Sequence, residues 1–206
     1  MHLLLTDGLT CTRCGPEFGL ILLATRMDER RVLDGTLGCS NCRDRYPVVN
    51  GLGDLRPEPR GPIETVSELE LPSDEELLRM AALIGVAGGT GRVALLGPTA
   101  RFAPGLAARI SDVDWVTVSA AAATWSEQDG VDRILAAGVL PFRDRTLRGV
   151  VLEGGDTTTE LPEAIRVLAP GHRLVLLDPP GAARDMLLAR GLKVHEPADG
   201  VLVAGR

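Results

Sequence analysis

The chain has no apolar run near the ~18 residues that a membrane-crossing helix needs, and its opening MHLLLTDGLT breaks after three leucines with Thr6 and Asp7. So short a run does not make the apolar segment of a secretory signal. The expectation is a soluble chain of the cytoplasm, with no membrane partner. Positive charge is also in deficit: 22 Lys and Arg face 28 Asp and Glu, a formal net charge of −6. That balance repels a phosphate backbone and argues against direct nucleic-acid binding. Lysine is nearly missing, Lys193 standing alone among the 22 basic residues. This bias reads as the nucleotide composition of the source genome, and no function is drawn from it.

Cysteine is absent after residue 42, and all four present, Cys11, Cys14, Cys39 and Cys42, fall into two Cys-x-x-Cys pairs with 24 residues between them. Two thiolates three residues apart in a tight turn can face one ion, and a second such turn supplies the other two corners of a tetrahedron. Four sulfurs leave no position for a metal-bound water, so the expected site is a structural zinc centre. A disulfide pair is the alternative, disfavoured in a reducing compartment. Gly15 follows the first pair, Val32 to Leu37 is read as a short turn-containing stretch entering the second, and YPVVNG leaves it extended into an Asn50-Gly51 turn. A segment of about 55 residues buries little apolar surface, so the ion would supply much of its folding energy.

The strings LTCTRCG and LGCSNCRDRYPVVNGLGDLRPE resemble the small zinc-ribbon activator subunit that partners tRNA and release-factor methyltransferases, over residues 2 to 57. Tyr46, Pro47, Val48, Asn50 and Gly51 stand at that family's offsets; Thr12, Asn50 and Gly53 depart from its usual Pro, Asp and Pro. The resemblance implies a ribbon that works by docking on a methyltransferase domain and covering apolar surface.

Glycine and proline, 24 and 14 in number, gather in the segment from Gly51 to Pro72, which reads as a linker. The expected division is a ribbon over 1–57, a linker over 58–72 and a second module over 73–206. In that module Ser73 is a helix N-cap candidate before an acidic first turn, with an apolar face at Leu77, Leu78, Ala81, Leu83 and Ile84. RVALLG, DWVTVS, VDRIL, LRGVVLE and HRLVLLD read as buried strands, and ELPEAIRVLA and GAARDMLLAR as helices. Alternation of this kind predicts an α/β fold with a doubly wound, mostly parallel Rossmann-like sheet, closed by a hairpin turning at Asp199-Gly200.

LPFRDRTLRGVVLEGG and EAIRVLAPGHRLVLLDP resemble the class I, S-adenosylmethionine-dependent methyltransferase domain over residues 73 to 206. The resemblance implies three anchors for that cofactor: a glycine-rich turn after the first strand, an acid ending the second and an acid before Leu-Pro-Phe. Here the turn is ALLGPTAR with Gly97 as its one glycine, and Ser119 and Ala136 occupy the two acid positions. A pocket so degenerate is expected to bind the cofactor poorly, since each ligand hydrogen bond is worth on the order of 1 kcal/mol or more.

Other chemistry-bearing residues are set beside plainer readings. Gly88-Gly89-Thr90-Gly91-Arg92 could be a displaced cofactor loop, but the helix it would require contains Gly97, Pro98, Pro104 and Gly105, so it is read as the turn ending the Ser73 helix. Asp178-Pro179-Pro180 is read as a proline-stopped strand end. His172 and His195 have no nearby carboxylate pattern, Glu153 and Asp156 are the residual polar candidates at the ligand edge of the sheet, and Trp115 and Trp125 are packing residues. The reading is a non-catalytic adaptor that docks on another protein, a methyltransferase or another enzyme subunit, with self-association left open. The alternative is an active methyltransferase carrying its activator in cis.

Overall fold

A computed structural model describes residues 1–63 and 70–205. After a single helical turn, α1 (Leu3–Thr6), the first strands are β1 (Thr10–Cys11), β2 (Gly15–Asp28), β3 (Arg31–Cys39), β4 (Arg45–Val49) and β5 (Leu52–Asp54). Each pairs antiparallel with the next. Turn chemistry accounts for the joints: Glu29 takes a left-handed φ of 47° between β2 and β3, and Asn50 and Gly51, at 47° and 75°, join β4 to β5. The Val32–Leu37 stretch, expected to contain a turn, instead runs straight through as β3, and the fourteen-residue β2 opposite it was not foreseen. Gly35 explains the misreading. An added Cβ there would lie 2.7 Å from the carbonyl oxygen of Leu23, beside a register irregularity at Ala24/Arg26. The glycine marks a close backbone approach in a bulged ladder.

Downstream, α2 (Asp74–Ile84) starts at Ser73 with a reciprocal capping box to Glu76 and stops at Gly85, whose φ is 79°. The strands β6 (Arg92–Leu96), β7 (Asp114–Val118), β8 (Val131–Leu135), β9 (Leu147–Glu153) and β10 (Leu168–Leu177) follow, interleaved with α3 (Ala103–Arg109) and α4 (Glu160–Val167). Then come α5 (Ala183–Ala189), β11 (Lys193–Ala198) and β12 (Val201–Gly205). Their order across the sheet is β8-β7-β6-β9-β10-β12-β11, parallel except for β12. This is the doubly wound α/β arrangement anticipated for the second module, hairpin included.

Period-two alternation sorts the apolar side chains into two cores. Ala94 and Leu96 of β6 and Val150 and Leu152 of β9 face α4 and α5. Val93, Leu95 and Val151 face α2 and α3. The ribbon is not a separate layer: β5 pairs parallel with β8, Leu52 opposite Arg133 through Asp54 opposite Leu135, so twelve strands form one sheet. Met1, Leu5, Leu9, Tyr46 and Leu55 join the same core as Ala94, Val116 and Ile134. Of the expected linker, residues 64–69 lie outside the described residues. No helix among the described residues is long and apolar enough to cross a membrane.

Candidate metal centre and sheet-edge cavity

The end of β1 and the loop after it carry Cys11 and Cys14, and the end of β3 and its following turn carry Cys39 and Cys42. The first turn is held by the Cys14 amide donating to Cys11 Sγ at 3.4 Å and the second by the Arg43 amide donating to Cys39 O at 3.0 Å. All four Sγ atoms lie within 4.8 Å of one another. Across the two turns, Cys11 faces Cys42 at 3.6 Å and Cys14 faces Cys39 at 3.8 Å. A disulfide would bring sulfurs to about 2.05 Å, whereas Zn–S bonds of about 2.3 Å give a tetrahedron with edges of about 3.8 Å. The cluster therefore has the dimensions of a closed tetrathiolate site that could hold a soft, tetrahedral ion.

Its surroundings bias the sulfurs. Tyr46, fully buried, places its hydroxyl 3.2 Å from Cys11 Sγ, and Thr12 donates to the Leu55 carbonyl at 2.6 Å while its oxygen sits 3.3 Å from Tyr46 Oη. Burial opposes ionisation of Cys11, but hydrogen bonds from Tyr46 and the Cys14 and Arg13 amides outweigh it and bring the thiol down to about 7. Burial among the other sulfurs pushes Cys42 up to about 12. Asn41 Nδ2 donates to Cys14 Sγ at 3.3 Å. Sequence reasoning placed Tyr46 in the ribbon motif without foreseeing its contact with a ligand sulfur; its offset of four from Cys42 was the available signal.

The three positions singled out by the methyltransferase resemblance share one cavity. Gly97, Ser119 and Ala136 line one cavity of about 490 Å³ at the carboxyl-terminal ends of β6, β7 and β8, the edge where doubly wound sheets hold ligands. Gly97 has a φ of 59° and opens a 3-10 turn, Gly97–Phe102, whose polar groups satisfy one another: Thr99 donates to Leu96 O at 2.9 Å, and Arg101 engages both Pro98 O and Glu153. Ser119 accepts the Ala121 amide at 3.3 Å, and Ala136 offers only backbone. Glu160 is the single carboxylate lining the cavity among the described residues, and it already receives the Asp156 amide at 3.0 Å. Arg56, at the end of the expected ribbon, and Ile63, from the expected linker, form part of the wall, which no sequence signal indicated. Arg56 is itself forked onto Asp54 at 2.9 and 2.7 Å.

Other candidates sit elsewhere. Glu153, paired with Arg101, lines a separate cavity of about 220 Å³, and Asp156 holds the turn before α4 by accepting the Thr158 amide at 2.7 Å and the Thr159 amide. Gly88, Gly89 and Gly91 lie between α2 and β6, where Arg148 donates to the carbonyls of Gly88 and Gly89; they are at the strand end opposite the cavity, but the helix stop expected of them falls earlier, at Gly85. Asp178 follows β10 and donates its amide to Gly200 O at 2.7 Å, closing the terminal hairpin. Trp115 is buried, with its indole N–H on Ile110 O at 3.1 Å. His172 and His195, with nothing in sequence to join them, line a third cavity together.

No family model and no curated protein matches the chain. Among solved structures, the fold superposes on a precorrin-6y C5,15-methyltransferase from Geobacter metallireducens GS-15 with a TM-score of 0.51 at 10% identity, over 69% of this chain and 93% of that one. A protein from Anabaena variabilis ATCC 29413, named for methyl transfer in an antibiotic-biosynthesis pathway, aligns over 54% of this chain with a TM-score of 0.45 and 16% identity; the chain spans 47% of its length. The likeness to the first, at 10% identity, speaks for the fold alone, an α/β sheet of methyltransferase type.

Proposed function

We propose that this chain is a zinc-stapled, non-catalytic protein of methyltransferase fold, serving as an adaptor or stabilising subunit for another protein. One observation carries the reading: the cavity beneath Gly97, Ser119 and Ala136 has a volume of about 490 Å³ but is lined, among the described residues, by a single carboxylate, Glu160, already engaged. The resemblance stated above makes two acids the acceptors for the cofactor's ribose and adenine groups, and here Ser119 and Ala136 stand in their place. Zinc suits the metal centre because four thiolates at tetrahedral spacing leave no open position, which makes the ion structural. The ribbon's docking role is then satisfied in cis, through β5 on β8 and the shared core around Leu9, Tyr46 and Leu55. Apolar surface still outward on β2, at Ile21 and Leu23, supports a further protein contact.

Calorimetry with S-adenosylmethionine tests the reading. No heat at millimolar ligand is expected; micromolar binding abolished by Gly97→Val would overturn it and establish the alternative, a methyltransferase with its activator fused in cis. That alternative is favoured by one fact, the survival of the cavity itself at the ligand edge of the sheet. The adaptor role is tested by affinity capture from the native cell: one stoichiometric partner lost with Leu23→Glu supports it, and recovery of the chain alone counts against it.

A further inference from the structure

A cavity of about 620 Å³ lies away from both regions already described, between α2 and the β10-β12-β11 edge of the sheet. Alternation along β11 builds one wall. Lys193, His195 and Pro197 point to the α2 side, while Glu196 points to the other side, where it meets Arg184 of α5 at 3.4 Å. His172 and Arg173 enter from β10 and Arg79 from the exposed flank of α2. The single lysine of the chain, two of its three histidines and two arginines thus share one concavity, and no carboxylate among the described residues lines it. On a chain of net charge −6 that segregation is opposite in sign to the whole.

The acids of the neighbourhood, Glu76, Glu153, Asp178 and Asp199, are kept in the separate cavity of about 220 Å³ that shares Arg79 and Leu83 with this one. The α2 carbonyls that would repel an anion are covered: Arg173 Nη1 donates to Ala82 O at 3.1 Å and Leu83 O at 3.3 Å, and the Gly85 amide takes Ala81 O at 2.9 Å. Arg173 is therefore partly spent. The side chains of Arg79, Lys193, His172 and His195 have no ion-pair or hydrogen-bond partner among the described residues. Together these side chains carry more N–H donors than the roughly four lone-pair sites of one carboxylate, and they match a group with several anionic oxygens. The volume exceeds what a bare phosphate fills, and Leu83, Pro197 and Val203 offer apolar wall for an organic body.

We propose that this cavity is a binding site for a phosphate-bearing small molecule, held through Arg79, Lys193, His172 and His195. The site is independent of the adaptor reading and survives its failure. Histidine-selective NMR of the full chain, titrated with inorganic pyrophosphate at physiological salt, tests it directly. His2 lies in the ribbon and is a built-in reference. The expected result is saturable movement of the His172 and His195 resonances with His2 still, and weakening of about tenfold on Lys193→Ala or Arg79→Ala, as loss of one charge-assisted hydrogen bond implies. An unchanged His2 signal and circular dichroism show that each variant is folded; should Arg79→Ala unfold, Lys193→Gln carries the measurement. Adenosine diphosphate, run in parallel, binds tighter than pyrophosphate if the apolar wall contributes and equally if recognition stops at the phosphates. Either result supports the site. Absence of movement at millimolar pyrophosphate, common movement of all three histidines, or affinity untouched by both variants would overturn it.

Discussion

The cysteine cluster and the sheet-edge cavity are both built where two loops meet at strand ends, yet they are opposite in kind. In the cluster every group that a metal would need is present and aimed inward, with Tyr46, Thr12 and Asn41 arranged behind the sulfurs. In the cavity the shape persists while its polar groups are turned upon the protein itself, as Ser119 on the Ala121 amide and Arg56 on Asp54 show. Packing of the strands maintains a hollow regardless of chemistry, because β6, β7 and β8 diverge into loops there in any sheet of this winding. A metal clamp has no such independent support. Shape alone is therefore poor testimony to function, and donor inventory is better.

The comparison breaks most visibly through the metal. Cys39→Ser or Cys42→Ser is expected to abolish binding of one zinc per chain by elemental analysis and to unfold the ribbon, since structural zinc supplies about 10–16 kcal/mol in small domains at neutral pH. Both tryptophans, Trp115 and Trp125, lie in the second half, so their fluorescence reports whether that half falls with the ribbon. With β5 hydrogen-bonded to β8, a single coincident transition is expected; a tryptophan signal indifferent to chelation would show the halves to be independent.

Next in size is Leu55→Ala. Leu55 is fully buried where ribbon and sheet share a core, its amide donating to Leu135 O at 2.8 Å, and the truncation should cost about 2–5 kcal/mol in denaturant unfolding. Tyr46→Phe removes the hydroxyl beside Cys11 and should weaken zinc about tenfold in chelator competition, with the fold retained. Acid acts in the same direction. Zinc takes thiolates, Cys42 is protonated at neutral pH without the metal and Cys11 is near its midpoint, so metal uptake releases protons and falling pH releases metal. An indicator dye in weak buffer measures the protons. Smallest is Ser73→Ala, which dissolves the capping box of α2 for about 1 kcal/mol and should leave both the cluster and the cavity unaltered.

Much of this was legible because it is local. The Ser73 cap, the apolar strands bounded by glycine or proline and the Asp199-Gly200 turn all announce themselves within a few residues, as does the Cys-x-x-Cys spacing. What escaped notice depends on distant parts of the chain meeting. β2 carries a mixed pattern, Gly15 through Asp28, with both faces partly exposed, so neither alternation nor a solid apolar run marked it. Gly35 passed for a turn because a glycine called for by a neighbouring backbone looks identical in sequence to one called for by a bend. Arg56 and Ile63 reached the cavity wall from a segment whose composition suggested only a tether, and His172 met His195 because β10 and β11 flank β12.

The parallel seam between β5 and β8 also sets an order of events in the living cell. Leu52 lies opposite Arg133, so 133 − 52 = 81 residues must be synthesised after the ribbon's last strand before its partner exists. At about 5–20 residues per second the wait is roughly 4–16 s. Throughout that interval all four cysteines are already made, and metal capture can precede completion of the sheet. The strands of the ribbon are thus complete in the chain before β8 exists to pair with them.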